Sequence, residues 1–238
     1  MFAPPAALVA PTRVRIRVRR RAKRAPQRQC YHGIAPWTTV RPALAPSCSL
    51  VEKPANIPPE VLVCTIGHSN RPLEAFLDLL ASNRIGCVVD VRTVPRSRHN
   101  PQFNQDALPH SLAAAGIDYR YLQALGGLRH AAKDSSNTGW RNASFRGYAD
   151  HMQSPEFADG MDALCELAQT QRCVLMCAEA VPWRCHRSMV GDALLVRHIG
   201  VEHIIGPKGR RPHVLTPFAH VDGERITYPA PPAGPADD

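Results

Sequence analysis

The chain predicts an α/β fold: a single three-layer α/β/α domain with a mostly parallel sheet, preceded by a disordered basic N-terminal extension. Three observations carry this expectation. Short apolar runs of strand length alternate with longer stretches whose apolar residues recur at helical spacing, the pattern of βαβ units. Polar, chemistry-bearing residues follow several of those runs. The charge also divides sharply along the chain. Residues 1–60 hold eleven Lys/Arg against two acids, whereas residues 61–238 hold eighteen of each sign. The net charge of +9 therefore belongs to the first quarter and says nothing about the partners of the folded part.

Residues 1–59 read as a disordered Pro/Arg-rich extension. Residues 1–60 hold ten of the 23 prolines, and Arg13–Arg24 has eight basic residues in twelve. Such a stretch buries too little apolar surface to offset its ordering entropy. It fits a basic arm for nucleic acid or anionic membrane, an organelle-targeting leader, or an extension left by a start site placed too far upstream.

From residue 61 the elements follow in order. Val61–Ile66 is an apolar run of buried-strand length ended by Gly67-His68-Ser69-Asn70. Leu73, Phe76, Leu77 and Leu80 then mark a helix, with Pro72 suited to its first turn and Ser69 or Asn70 as cap. Ile85–Val91 predicts the second strand, residues 105–115 a helix closed by Gly116, and Tyr119–Leu122 a third strand. Residues 129–145 read as a polar, mobile excursion. Ser154-Pro155-Glu156 starts a helix running to about Gln171, with Phe157, Met161, Leu164 and Leu167 on its buried side. Cys173–Cys177 is the fourth strand, His186–His198 a helix and Val201–Ile205 the fifth strand. Pro207–Phe218 reads as irregular, with a last short strand near Arg225–Tyr228. The expected domain spans residues 60–228, and 229–238 form a disordered tail.

Eight cysteines do not imply a disulfide framework here. Cys64, Cys87 and Cys173 lie in apolar strand-like runs and Cys165 in a helical one, where cysteine serves as a small buried hydrophobe. No signal peptide is apparent, and no run approaches the roughly 18 apolar residues of a membrane span. The expectation is a cytoplasmic protein in a reducing compartment, without a membrane partner.

The strand ends deliver the candidate site. His68 and Ser69 follow the first strand; Asp90, Arg92, Arg96 and Ser97 the second; Cys177, Glu179, Cys185, His186 and Arg187 the fourth. In open α/β sheets the loops beyond the strands' carboxyl ends converge on one crevice. Tyr121, Gly126 and Gly127 are expected to form one wall, although glycines there also serve tight turns. Arg92, Arg96 and Arg187 are planar donors suited to phosphate or carboxylate, so a small anionic or phosphorylated ligand is expected; the competing reading pairs Arg92 with Asp90 or Glu179.

For the cysteines three readings stand. Cys185 or Cys177 is a nucleophile at a helix start, with His68 or His186 as base and Asp90 or Glu179 orienting it. Alternatively Cys177, Cys185 and His186 hold zinc or iron, although C-x7-C-H matches no compact zinc signature. In the third, Cys177 and Cys185 form a redox pair. Cys177 at the end of a buried strand also fits simple packing. Arg184 follows Cys177 by seven positions, not the six of a phosphatase or rhodanese loop. Trp37, Trp140 and Trp183 form no stacking platform, so the folded part gives nucleic-acid binding no support.

Taken together, Thr65-Ile-Gly-His-Ser69, Asp90-Val-Arg-x-x-Pro-x-Ser97, Tyr121 with Leu125-Gly-Gly127, Cys177-Ala-Glu179 with Cys185-His-Arg187, and Pro212-His-Val-Leu-Thr-Pro217 resemble domain-of-unknown-function family 488. The resemblance covers residues 60–228 and implies a compact α/β domain whose motif residues line one pocket. It implies no established reaction. Two function classes follow: an enzyme on a nucleotide-like or otherwise phosphorylated substrate, or a non-catalytic sensor or nucleic-acid-associated accessory protein.

Overall fold

The computed structural model describes residues 61–230. The basic extension 1–59 and the tail beyond residue 230 lie outside the described residues. Five strands run parallel in the order β3-β2-β4-β1-β5, and β6 adds an antiparallel edge. They are β1 (Leu62–Gly67), β2 (Cys87–Asp90), β3 (Asp118–Tyr121), β4 (Cys173–Cys177), β5 (Gly200–Gly206) and β6 (Gly209–Pro212).

Strands buried on both faces need near-continuous apolar sequence. β2 and β4 (CVVD and CVLMC) are buried at every position. Their alternate side chains divide between two cores. Cys64, Ile66, Val88, Val174 and Met176 pack with α1 (Leu73–Ser82) and α2 (Leu108–Ala114). Val63, Val89, Leu175 and Cys177 pack with α4 (Pro155–Thr170) and α5 (Arg187–Val196) on the other face. This is the expected three-layer α/β/α arrangement. The neighbours β1 and β4 hand over to helices on opposite faces, so a crevice opens beyond their carboxyl ends.

Side-chain caps explain the starts of α4 and of a further helix, Ala143–His151. Ser154 caps α4 by accepting from the Phe157 N–H at 3.2 Å, with Pro155 at the first helical position. α1 differs from the expectation: neither Ser69 nor Asn70 caps it, and Pro72 stands at the N-cap without a side-chain bond. Ser69 instead occupies the left-handed region (φ 49°) in the turn after β1.

Residues 129–145 are not wholly an excursion, because α3 (Ala143–His151) begins inside them. Asn142 caps it through the Ser144 N–H at 2.8 Å. Gly147 is required where a Cβ would stand 2.6 Å from the His130 carbonyl carbon. Pro207–Phe218 contains β6, and the short strand Arg225–Thr227 (β8) pairs with an unforeseen β7 (His220–Asp222). No helix among the described residues is long and apolar enough to cross a membrane.

Candidate functional site

Two polar clusters form at the strand ends, and they are built differently. The first gathers around Asp90, which closes β2 and is fully buried. Arg92 embraces it, with Nε donating to Oδ1 at 2.9 Å and Nη2 to Oδ2 at 2.6 Å. Arg92 Nη2 also donates to the Phe103 carbonyl at 2.7 Å, and the Tyr119 hydroxyl donates to Asp90 Oδ2 at 2.8 Å. His68 Nδ1 donates to the Ser69 carbonyl at 2.8 Å, which leaves Nε2 bare to accept from Arg92 Nη1 at 3.3 Å. The His68 ring stacks on Phe103 with centroids 4.4 Å apart. Burial is the main cause holding its pKa down to about 4, with the Arg92 charge adding to it. Burial also lifts the Tyr119 hydroxyl, and the charge of Asp90 lifts it further. Each polar side chain here meets a partner.

The second cluster lies at the end of β4. Backbone bonds from His68 N–H to the Cys177 carbonyl and from Ser69 N–H to the Ala178 carbonyl, both 3.0 Å, carry the β1–β4 pairing past the strand end. Gly67 permits this, because a Cβ there would overlap the Glu179 carbonyl. The chain then turns through a short 3-10 segment, Pro182–Arg184, and enters α5 with Cys185 and His186 at its start. Cys185 Sγ lies 2.8 Å from Cys177 Sγ and 3.5 Å from His186 Nδ1. His186 Nε2 meets the Val91 carbonyl at 2.9 Å. A carbonyl only accepts, so Nε2 carries the hydrogen and neutral His186 presents a bare Nδ1 to the thiol.

Arg187 is the anomaly of this cluster. Its side chain is fully buried (1% exposed), yet it makes no ion pair among the described residues, and its Nε has no hydrogen-bond partner. Nη2 donates to the Glu179 carbonyl at 2.8 Å, and the backbone N–H donates to Cys185 Sγ at 3.5 Å. A buried guanidinium calls for an anion, and its charge favours the thiolate form of the neighbouring Cys185 and Cys177. Burial alone would raise the Cys185 pKa. A hydrogen bond from Cys177, then the hydrogen bond and charge of the His186 imidazolium that forms when the thiol proton passes to Nδ1, and last the charge of Arg187, more than reverse that and hold it well below the usual thiol value. Cys177 goes the other way: burial and the facing Cys185 sulfur keep its proton on.

A cavity of about 380 Å³ opens onto this second cluster, within the range of small-molecule sites. Of the residues expected from sequence, it is lined by Arg92, Gly127, Cys177, Glu179, Cys185 and His186. The remaining expected residues stand apart from it. His68 and Asp90 belong to the closed cluster, and Arg92 reaches the cavity with its guanidinium engaged by Asp90. Ser97 accepts from the Asn100 N–H and shapes its own loop. The Tyr121 hydroxyl donates to the Thr93 carbonyl. Gly126 and Gly127 are explained by close approach: a Cβ on Gly126 would stand 2.8 Å from Thr93 Oγ1, and one on Gly127 would overlap the His186 ring.

The wall that sequence reasoning missed comes from α3 and its cap: Asn142, Ser144, Phe145 and Tyr148, joined by Val94, Leu128 and Met189. Its one sequence signal was the Phe145/Tyr148 pair at helical spacing. Among the described residues no group of three or more His, Cys, Asp or Glu is arranged to hold a metal ion, the set Cys177, Cys185 and His186 included.

The family profile described as domain of unknown function DUF488 matches residues 72–194. The chain belongs to this family. The DUF488 span contains β2, both polar clusters apart from His68, and the cysteine loop. The motifs Thr65–Ser69 and Pro212–Pro217 lie outside it. Comparison with curated proteins and with solved structures gave no match.

Proposed function

We propose that this DUF488 protein is an enzyme that uses the Cys185 thiolate as a nucleophile on a small substrate bearing an anionic group, in the nucleotide-like or otherwise phosphorylated class. The observation that carries the reading is the chain Cys185 Sγ, His186 Nδ1, His186 Nε2, Val91 carbonyl, with the bare ring nitrogen turned to a thiol at a cavity wall. His186 takes the thiol proton, and the Val91 carbonyl holds the ring in the tautomer that can accept it. Arg187 and the first turn of α5 stabilise the thiolate. Exposed Arg184 at the cavity rim is the cation free to meet the ligand's charge, because Arg92 already serves Asp90. Phe145, Leu128 and Met189 offer an apolar bed for its body.

In the covalent step the sulfur–substrate bond forms as the bond to the leaving group breaks, and the leaving group takes the proton from His186. Water then attacks the enzyme-bound group, giving its proton back to His186 or to exposed Glu179 at the mouth, and the thiolate returns.

The test uses the full chain and p-nitrophenyl acetate. A burst of about one p-nitrophenolate per chain, with the acetyl group mapped to Cys185 and lost in Cys185→Ser, is the expected result. Slowing of the burst by adenosine monophosphate or inorganic phosphate, relieved in Arg184→Ala, supports the anionic substrate. No burst and no thioester would leave the non-catalytic ligand-binding alternative in its place.

A further inference from the structure

The nucleophile reading gives Cys177 one task, a hydrogen bond to the Cys185 sulfur. It has no base of its own, its proton is held on, and it is 2% exposed. Simple packing does not account for its position, since its sulfur lies 2.8 Å from Cys185 Sγ, inside the contact distance of two sulfur atoms. A disulfide needs about 2.04 Å. The two residues are eight apart in sequence, and the loop between them, Ala178–Arg184, includes exposed Ala178, Glu179, Ala180, Trp183 and Arg184. A shift of less than an ångström by one sulfur is easily taken up there. A second pair supplies the contrast. Cys87 and Cys173 face each other directly across β2 and β4, but both are fully buried and neither lines the cavity.

We propose that Cys185 is a site of oxidation by hydroperoxides and that Cys177 is its resolving thiol, so that oxidation ends in a reducible Cys177–Cys185 disulfide. The proposal rests on the Cys185 thiolate assigned above. The Cys185 sulfur attacks the terminal peroxide oxygen. The O–O bond breaks, a sulfenic acid forms, and the released alkoxide or hydroxide takes a proton to leave as alcohol or water. The Cys177 sulfur then attacks the Cys185 sulfur, the S–O bond breaks, and the departing hydroxide leaves as water with the Cys177 proton. Two electrons, one from each sulfur, have reduced one peroxide bond. A dithiol reductant reverses the change. The cavity admits a molecule the size of hydrogen peroxide, and contact between the sulfurs makes the second step faster than further oxidation of the sulfenic acid.

The experiment treats the reduced full chain with a small excess of hydrogen peroxide and maps the products by non-reducing peptide mass analysis. A parallel sample is alkylated with iodoacetamide before oxidation. The expected result is loss of two thiols per chain, recovered as one linked Cys177–Cys185 peptide pair that dithiothreitol restores, with Cys87 and Cys173 still reduced. In Cys177→Ala the linkage disappears, Cys185 is trapped by dimedone, and longer exposure carries it to products that dithiothreitol does not restore. Wild-type mapping requires no variant to fold. Cys185 that alkylates readily yet passes to sulfinic acid without linkage overturns the resolving role and leaves the nucleophile reading standing. Cys185 that neither alkylates nor oxidises overturns both.

Discussion

The polar clusters at the ends of β2 and β4 use the same kinds of residue to opposite effect. Around Asp90 the charges are matched: Arg92 meets its carboxylate through two nitrogens, Tyr119 adds a third donor, and His68 fills the remaining guanidinium position. Around Cys185 they are not. Arg187 is as deeply buried as Arg92 but has no carboxylate, and the thiols beside it open onto a cavity. A closed cluster stabilises the fold and has nothing left to offer a ligand. An open one keeps a cation in reserve, and here that cation adds to the lowering of a thiol pKa that the hydrogen bonds from Cys177 and His186 chiefly produce. Residue type and strand-end position therefore do not identify a reactive site; the state of the partners does.

The largest expected contrast is in stability. Asp90→Asn strands the buried Arg92 charge and is expected to cost about 3–5 kcal/mol in urea unfolding. Arg187→Met removes a buried charge that has no carboxylate partner and is expected to change stability by no more than about 1 kcal/mol. Equal costs for the two would erase the distinction between the clusters. A pH series tests the closed cluster separately. His68 ordinarily titrates at 6.5 but is held at about 4 in the fold. As pH falls below 6.5 the unfolded chain binds a proton that the folded chain refuses, so stability present above that pH is lost on the way down to 4. By pH 5 the loss is about 2 kcal/mol. His68→Gln is expected to lack this share of the acid loss, and an unchanged loss would mean that the ring accepts a proton in the fold.

The open cluster is sharpened by Gly127→Ala. The added methyl presses on the His186 ring, for a stability cost of about 1–3 kcal/mol. The midpoint of Cys185 alkylation is expected to move upward, as the displaced ring loses its hold on the sulfur. Tyr119→Phe gives the smallest effect, about 1 kcal/mol from one lost hydrogen bond, with Cys185 reactivity unchanged. A slower thiol in that variant would mean that the two clusters communicate.

β1, β2 and β4 were legible in the sequence because they are buried on both faces and read as apolar runs; Cys173–Cys177 is a strand at the expected residues. α4 was legible from its Ser-Pro start. β6 and β7 were not, since their residues are exposed and Gly209-Arg-Arg-Pro212 carries no apolar signal. α3 was obscured by Gly147 and by few apolar positions. In the site, the loop that brings Cys177, Cys185, His186 and Arg187 together was legible from its position after β4. Which histidine faces the thiol was not, because that depends on where the Val91 carbonyl and Gly127 fall in space. For the same reason the sequence leaves Arg92 open between a ligand donor and a partner of Asp90 or Glu179, and the fold makes it the partner of Asp90.

The most direct test of the open cluster is the pH profile of iodoacetamide alkylation, followed site by site by peptide mass analysis on the full chain. Cys185 is expected to react first, with a midpoint well below the free-cysteine value of roughly 8.5. Cys177 is expected to stay unmodified over the same range, and Arg187→Met and His186→Gln are expected each to move the Cys185 midpoint upward. A Cys185 midpoint at or above 8.5, indifferent to both substitutions, would contradict the account and leave the β4 end as packed a cluster as the β2 end.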